Sequence, residues 1–205
     1  MDITLFPTKG NLILAKSRLG LSKQGYVLLD KKRVVLIREM MELIESAKEI
    51  QSKIDSTFAR AYKALQAVNI MLGIDYVEQT GYAIPLETGV KINFRSVMGV
   101  EIPIVSDVTA RTGCPYGVYT TNSALDDAYN EFENVKDLTL KLAEVENSIY
   151  RLAFAIKKAQ KRANALKNII IPKYTKLTAD IESALEEKDR EEFARLKVIK
   201  HKNNN

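Results

Sequence analysis

"MMELIESAKEIQSKIDSTFARAYKALQAV", residues 40–68, carries an apolar side chain at every seventh position from Met40 through Ala47, Ile54 and Ala61 to Val68. The stride extends back through Arg33, Tyr26, Leu19 and Leu12, so eight of nine positions are apolar or aromatic and Arg33 is the exception. A companion row lies four residues further on, at Ile37, Ile44, Gln51, Phe58, Leu65 and Leu72, with Gln51 its polar member. Two apolar positions per heptad held this long mark the seam of a coiled coil, not the stripe of a short globular helix. Thr8, just after Pro7, is placed to cap the first turn. From Leu12 to Val68 such a helix rises ~84 Å at ~1.5 Å per residue.

The other end of the chain repeats the pattern. Ala128, Val135, Leu142, Ile149, Ile156, Ala163, Ile170, Leu177 and Ala184 form one apolar row, and Leu138, Val145, Leu152, Ala159 and Leu166 form its companion. Two seams in one chain bury each other by folding back, which sets Leu12 near Ala184 and Val68 near Ala128. A compact bundle is the alternative, but it needs a break about every ~20 residues, and only Gly20 and Gly25 offer one.

Residues 73–117 differ, with glycines at 73, 81, 89, 99, 113 and 117 and prolines at 85, 103 and 115. Within them, Val90, Ile92 and Phe94 alternate with polar residues, and Val100, Ile102 and Ile104 alternate again beyond Gly99. Period two on both sides of a glycine turn predicts a β-hairpin at about 90–105. Pro103 cannot donate to a ladder, so its strand is expected to expose that edge. A lone hairpin is marginal in water and must lean on the helices or on a partner. The expected fold is therefore mainly α: a long antiparallel two-helix coiled coil with a small central head. Its parts are residues 1–72, the head at 73–117, and 118–205 with a short polar tail.

The charge is unevenly spread. Residues 1–38 hold eight basic and two acidic side chains, and residues 151–176 hold eight basic and none acidic. The fold-back brings these two segments to one end, where like charges repel modestly. Such an end makes sense against an electronegative partner; ordinary solvated coiled-coil faces are the plainer reading. Nucleic acid is a weaker candidate, since no aromatic residues interleave for stacking and no recognition module is present.

No catalytic constellation emerges. His201 is the only histidine and lies in the tail "KHKNNN", and Cys114, the only cysteine, has no histidine to activate it. There is no phosphate-cradling glycine loop and no metal-ligand spacing. One cysteine excludes an intrachain disulfide framework and suits a reducing compartment. No apolar run of ~18 residues predicts a membrane span, and Met1 to Thr8 do not read as a secretory signal. Pro172 stands inside a strongly helical stretch and either ends the helix there or bends it. Gly10, Gly20 and Gly25 each cost a helix about 1 kcal/mol relative to Ala, which close approach of another backbone or simple tolerance explains.

Residues 7–40, "PTKGNLILAKSRLGLSKQGYVLLDKKRVVLIREM", resemble the N-terminal helix of the D subunit of the V-type and A-type rotary ATPases. The match lies in Pro7, Thr8, Gly25, Leu28, Leu29, Lys31, Lys32 and Arg33. Residues 157–174, "KKAQKRANALKNIIIPKY", and 186–200, "EEKDREEFARLKVIK", are similar to that family's ending, through Arg162, Asn164, Ala165, Leu166, Ile171 and Pro172. The resemblance covers about 8–73 and 118–200. Asp30 departs from a common lysine, and Val34 from a common acidic residue.

The resemblance implies a non-catalytic central rotor shaft, without cofactor or metal, that transmits torque between a catalytic hexamer and an ion-translocating membrane ring. Its implied partners are the hexamer's catalytic and nucleotide-binding subunits, the F subunit at the side, and a funnel-shaped subunit above the membrane ring. No nucleic acid and no direct membrane insertion are expected, and the location is cytoplasmic, peripheral to the membrane through the complex. The expected hexamer contacts are Lys9, Lys16, Arg18, Lys31, Lys32, Arg33, Lys157, Lys158, Lys161, Arg162 and Lys167. Pro172 is the expected shaft bend, and Ile92, Phe94, Ile102 and Ile104 form the head hairpin. The alternative is a free-standing coiled-coil adaptor or a nucleic-acid-associated rod.

Overall fold

The computed structural model describes residues 6–85, 89–106, 115–117, 119 and 121–203; Cys114 lies outside them. The chain is mainly helical, with two long antiparallel helices packed together and a two-stranded antiparallel hairpin between them in sequence. The elements are α1 (Lys9–Leu72), α2 (Ile74–Ala83), β1 (Lys91–Val97), β2 (Val100–Ser106), α3 (Ser123–Ala165) and α4 (Ile171–Asn203), with a π-turn at Leu166–Ile170 joining the last two. The chain divides into two compact units. One comprises 1–34 with 156–205, here the terminal unit; the other is 35–155, the central unit.

Local chemistry sets the helix ends. Thr8 caps α1, its Oγ1 accepting from the Asn11 N–H at 3.2 Å, as expected of Ser or Thr before a helix. Gly73 ends α1 at φ 87°, a conformation that disfavours residues with a Cβ.

In the central unit the stride residues Ile54, Ala61 and Val68 are buried. The companion row corrects the sequence expectation. Gln51 is exposed and Ile37 is 36% exposed, whereas Leu36 is at 0% and Thr57 at 4%. At Leu36 and Thr57 the buried residue lies three positions after the stride, not four, whereas at the end of α1 the residue four after, Leu72, packs on the core and Met71, three after, is exposed. Spacings of three and four are those of the a and d positions of a two-helix seam. From α3 the seam receives Leu125, Ala128, Val135, Val145 and Leu152, all buried. Val68 and Ala128 share one cluster with Tyr116 and Leu125, in line with the fold-back register. Tyr116 donates to Asp126 Oδ1 at 2.6 Å and meets the Tyr129 ring edge-on.

The hairpin has a two-residue turn, Met98-Gly99, with φ of 50° and 74°. Positive φ at both positions is the twist that hairpins favour; a methionine adopts it at a cost of roughly 1–2 kcal/mol. Phe94 pairs with Pro103, Ile92 with Val105, and Arg95 with Ile102. Counting from the turn, Phe94–Pro103 is a non-hydrogen-bonded pair, so proline's missing N–H removes nothing from the ladder. The edge of β2 is nevertheless not left to water, contrary to expectation. The Val105 N–H donates to Glu144 Oε2 at 3.0 Å and Arg151 Nη1 donates to the Glu101 carbonyl at 3.1 Å. Between them Ser148 Oγ, which donates to the Glu144 carbonyl at 2.8 Å, stands 3.5 Å from the Pro103 carbonyl. Helix α3 supplies polar side chains along that edge because Glu144, Ser148 and Arg151 recur at helical spacing on one face. From the other side Arg95 reaches Glu39 of α1 at 2.6 Å.

The terminal unit pairs the first part of α1 with α4 and the end of α3. Lys16 meets Glu182 at 2.5 Å, near the expected register of Leu12 with Ala184. Helicity continues through Pro172, contrary to a simple break. The Ile171 N–H bonds to the Leu166 carbonyl, five residues back, and widens the turn just before the proline. That widening accommodates a ring which otherwise presses on the carbonyl four residues earlier. Gly10 and Gly20 have nothing within 4 Å of an added Cβ, and at Gly25 the nearest atom is Leu166 Cδ1 at an ordinary 3.7 Å. Close backbone approach thus does not explain these glycines. Gly20→Ala is expected to stabilise the isolated chain by about 1 kcal/mol in urea unfolding, and a loss of stability would contradict the open space seen there.

Candidate partner-binding surfaces

The terminal unit inverts the usual choice of core residues. Its buried side chains include Ala15, Ala159 and Ala163, with Thr178 and Ile181. Its exposed ones include Ile13, Leu14, Leu21, Leu28 and Ile169, with Leu28 at 67%. Alanines in the seam let the helices pack, and these five large apolar groups lie outside it. Leu14, Leu21 and Leu28 form a seven-residue stride of their own on the outer face. Further along, every residue from Glu186 to Lys202 is exposed, Phe193 at 72% among them. Such apolar exposure marks an interaction surface.

Charge follows the same division. The terminal unit carries 20 basic and 9 acidic side chains, a net +11; the central unit carries 11 and 17, a net −6. The basic residues singled out in the sequence all fall in the terminal unit, but they are not equivalent. Lys16 is paired with Glu182, and Arg33 with Asp30 at 2.7 Å. Arg33 occupies the seam stride, and its Nε is buried with no hydrogen-bond partner among the described residues, at a cost of about 1–3 kcal/mol. Arg18 donates to the Tyr174 hydroxyl at 3.3 Å, and Lys167 Nζ lies 6.0 Å from the Tyr26 ring centroid. Lys9, Lys31, Lys157, Lys158, Lys161 and Arg162 are exposed and Lys32 is half-exposed, with no ion pair among the described residues. The Gly25–Leu166 and Tyr26–Lys167 contacts set a register that carries Lys31 and Lys32 alongside 158–162. Among the described residues no acid pairs with these charges.

Of the hairpin residues, Ile102 is buried and Ile104 half-buried, whereas Ile92 and Phe94 are each 58% exposed. The pairing explains the split. Ile92 and Phe94 share a face with Val105 and Pro103, while Ile102 and Ile104 stand on the opposite face with Arg95 and Asn93. Arg151 sits 5.2 Å from the Phe94 ring centroid.

Among the described residues no group of His, Cys, Asp or Glu is arranged to hold a metal ion, and no helix is long and apolar enough to cross a membrane. The outer apolar rows were missed in the sequence. A second seven-residue phase, Leu14–Leu21–Leu28, was the signal for them.

Fold and surfaces together define a class: a long-helix protein whose terminal unit carries basic and large apolar side chains on its outer face. Comparison with known proteins specifies it. The model of the family described as the D subunit of ATP synthase matches residues 11–201. The V-type ATP synthase D subunit of Thermotoga neapolitana is 46% identical over 200 residues, covering 98% of each chain. The A-type ATP synthase D subunit of Methanopyrus kandleri is 36% identical over 196 residues, covering 95% of this chain and 84% of that one. The corresponding Pyrococcus furiosus protein is 33% identical over 198 residues, covering 95% and 92%. The chain belongs to the D-subunit family of V/A-type ATP synthases.

Proposed function

We propose that the chain is the non-catalytic central rotor shaft of a V/A-type ATP synthase, located on the cytoplasmic side and attached to the membrane through the assembled complex. It turns within a hexamer of catalytic and nucleotide-binding subunits, with the F subunit at its side and a funnel-shaped subunit between it and the membrane ring. The observation that carries this reading is the outer face of the terminal unit, where Ile13, Leu14, Leu21, Leu28 and Ile169 are exposed over an alanine-rich seam and the net charge is +11. Leaving large apolar groups in water forgoes about 1.5–3 kcal/mol per side chain, a loss that an encircling partner recovers. The exposed cations Lys9, Lys31, Lys32, Lys157, Lys158, Lys161 and Arg162 face the hexamer, and Lys16, Arg18, Arg33 and Lys167 stiffen the shaft through their contacts within the chain. Pro172 and the π-turn before it give the shaft an asymmetric curve, so that neighbours otherwise alike are held in different states. The shaft breaks no bonds; it carries torque, and the long seams supply the stiffness.

The test is direct. With the hexamer fixed and a bead attached to this chain in the purified complex, ATP hydrolysis is expected to turn the bead. A bead that stays still while ATP is consumed would overturn the shaft reading. Deleting the hairpin, 91–106, is expected to leave the long helices folded by circular dichroism while slowing ATP turnover of the complex. Loss of helix in that variant would show that the hairpin belongs to the core.

A further inference from the structure

The two edges of the hairpin are treated differently. Along β2 the outward groups of Glu101 and Val105 are bonded by Arg151 and Glu144, and Ser148 Oγ covers the Pro103 carbonyl from 3.5 Å. Along β1 the outward groups belong to Ile92, Phe94 and Ser96, which alternate with the inward, ladder-forming Lys91, Asn93, Arg95 and Val97. None of those three residues has a hydrogen-bond partner for its outward N–H or carbonyl among the described residues. Every residue from Lys91 to Ser96 is exposed. An edge left open in this way is normally defended by proline, a bulge or free charge. Here the proline sits on the edge already sealed, and Arg95 is paired with Glu39. Lys91, the charge of β1 with no ion pair among the described residues, stands only at its first residue, away from Phe94 and Ser96. The middle of β1 is Ile92-Asn93-Phe94, uncharged and exposed.

We infer that β1 is an acceptor edge, to which an extended segment of another polypeptide of the ATP synthase adds as a third strand. Main-chain hydrogen bonds to Ile92, Phe94 and Ser96 supply the pairing, and the exposed Ile92 and Phe94 side chains select apolar residues on the same face. Charge further specifies the incoming segment. Lys91 has no ion pair among the described residues, and Arg151 over Phe94 bonds only a carbonyl. The matching strand therefore carries carboxylates beside its apolar positions. A second copy of this chain is a poor occupant, since β1 has two cations and no acid and self-pairing sets like charges together. The inference is independent of rotation, because a complex whose shaft turns need not add this strand.

The experiment compares amide hydrogen exchange in the isolated chain and in the intact purified complex. In the isolated chain the inward amides of Asn93, Arg95 and Val97 exchange slowly and serve as internal standards, whereas those of Ile92, Phe94 and Ser96 exchange freely. In the complex these three are expected to slow by roughly tenfold or more. Equal exchange in both states overturns the inference, as does protection that appears in the isolated chain only when it dimerises. Two variants separate strand addition from side-chain contact. Phe94→Pro removes both the ring and the outward donor without touching the ladder, as Pro103 already does opposite it; Phe94→Ala removes the ring and keeps the donor, so the two differ in the donor alone. By native mass spectrometry of the complex, one partner polypeptide is expected to be retained about tenfold less with Phe94→Pro than with Phe94→Ala. Equal retention with both variants means that the outward N–H of residue 94 makes no contact with the partner, and the acceptor edge fails.

Discussion

Leu152→Ala is expected to lower the stability of the isolated chain by about 2–5 kcal/mol, read as an earlier urea midpoint with an unchanged slope. Leu152 is fully buried in the α3 seam of the central unit, as Leu36 is in α1 of that unit. Truncating either one removes transfer free energy and leaves a void that two long helices cannot close by local shifts. Leu28→Ala is the informative control. It deletes the same atoms from a side chain that is 67% exposed, so its cost should stay within about 0.5 kcal/mol. In the assembled complex the order is expected to reverse at the interface, with Leu28→Ala weakening the grip of the hexamer. Equal destabilisation of the isolated chain by the two truncations would mean that the outer rows are packed inside the chain.

Replacing Lys31, Lys32, Lys158, Lys161 and Arg162 together by Gln should do the opposite to stability. None of the five pairs with an acid among the described residues, so the isolated chain is expected to be as stable as the parent or slightly more so. Assembly with the hexamer should suffer. At about 0.5 kcal/mol for each exposed charge facing an acidic partner, the five together amount to about 2.5 kcal/mol, close to a hundredfold in affinity. Binding of the unaltered chain should also weaken with salt, since exposed charges are screened over ~10 Å at 0.1 M. Nucleic acid would show the same salt trend, so the pull-down is run with DNase. Recovery of the hexamer by the parent chain and its loss in the variant is the expected result. Unimpaired hexamer binding by the variant would remove these five residues from the contact, and recovery of nucleic acid alone would replace the shaft by a nucleic-acid-associated rod.

The two long helices, the hairpin and the Thr8 cap were legible in the amino-acid order because each depends on local periodicity or on one side chain beside its own backbone. A seven-residue stride from Leu12 to Val68 admits no competing strand pattern, and alternation on both sides of Gly99 admits no helix. The division into large and small seam residues was equally present in the letters, yet it passed unnoticed: Leu14, Leu21 and Leu28 repeat with the same period as the seam and were hidden behind it. Lys16, Arg18 and Arg33 read as free charge because their partners Glu182 and Tyr174 are distant in sequence, and because Asp30 faces Arg33 only once the helix forms.

Sequence alone determined the fold class, the start of the first helix, the basic end and the kinship with the D subunits of these rotary enzymes, since all of these rest on local pattern and composition. Tertiary structure decided which of two adjacent residues, Leu36 or Ile37, enters the seam, because that depends on where the partner helix lies. It also decided that the chain stays helical through Pro172 by widening the turn before it. The hairpin is the clearest case. Ile92 and Ile102 look alike in the sequence, but antiparallel pairing puts them on opposite faces, and side chains from α3 seal one edge while β1 keeps its own open. Strand register and long-range hydrogen bonds join residues far apart in the chain, so no local pattern encodes them.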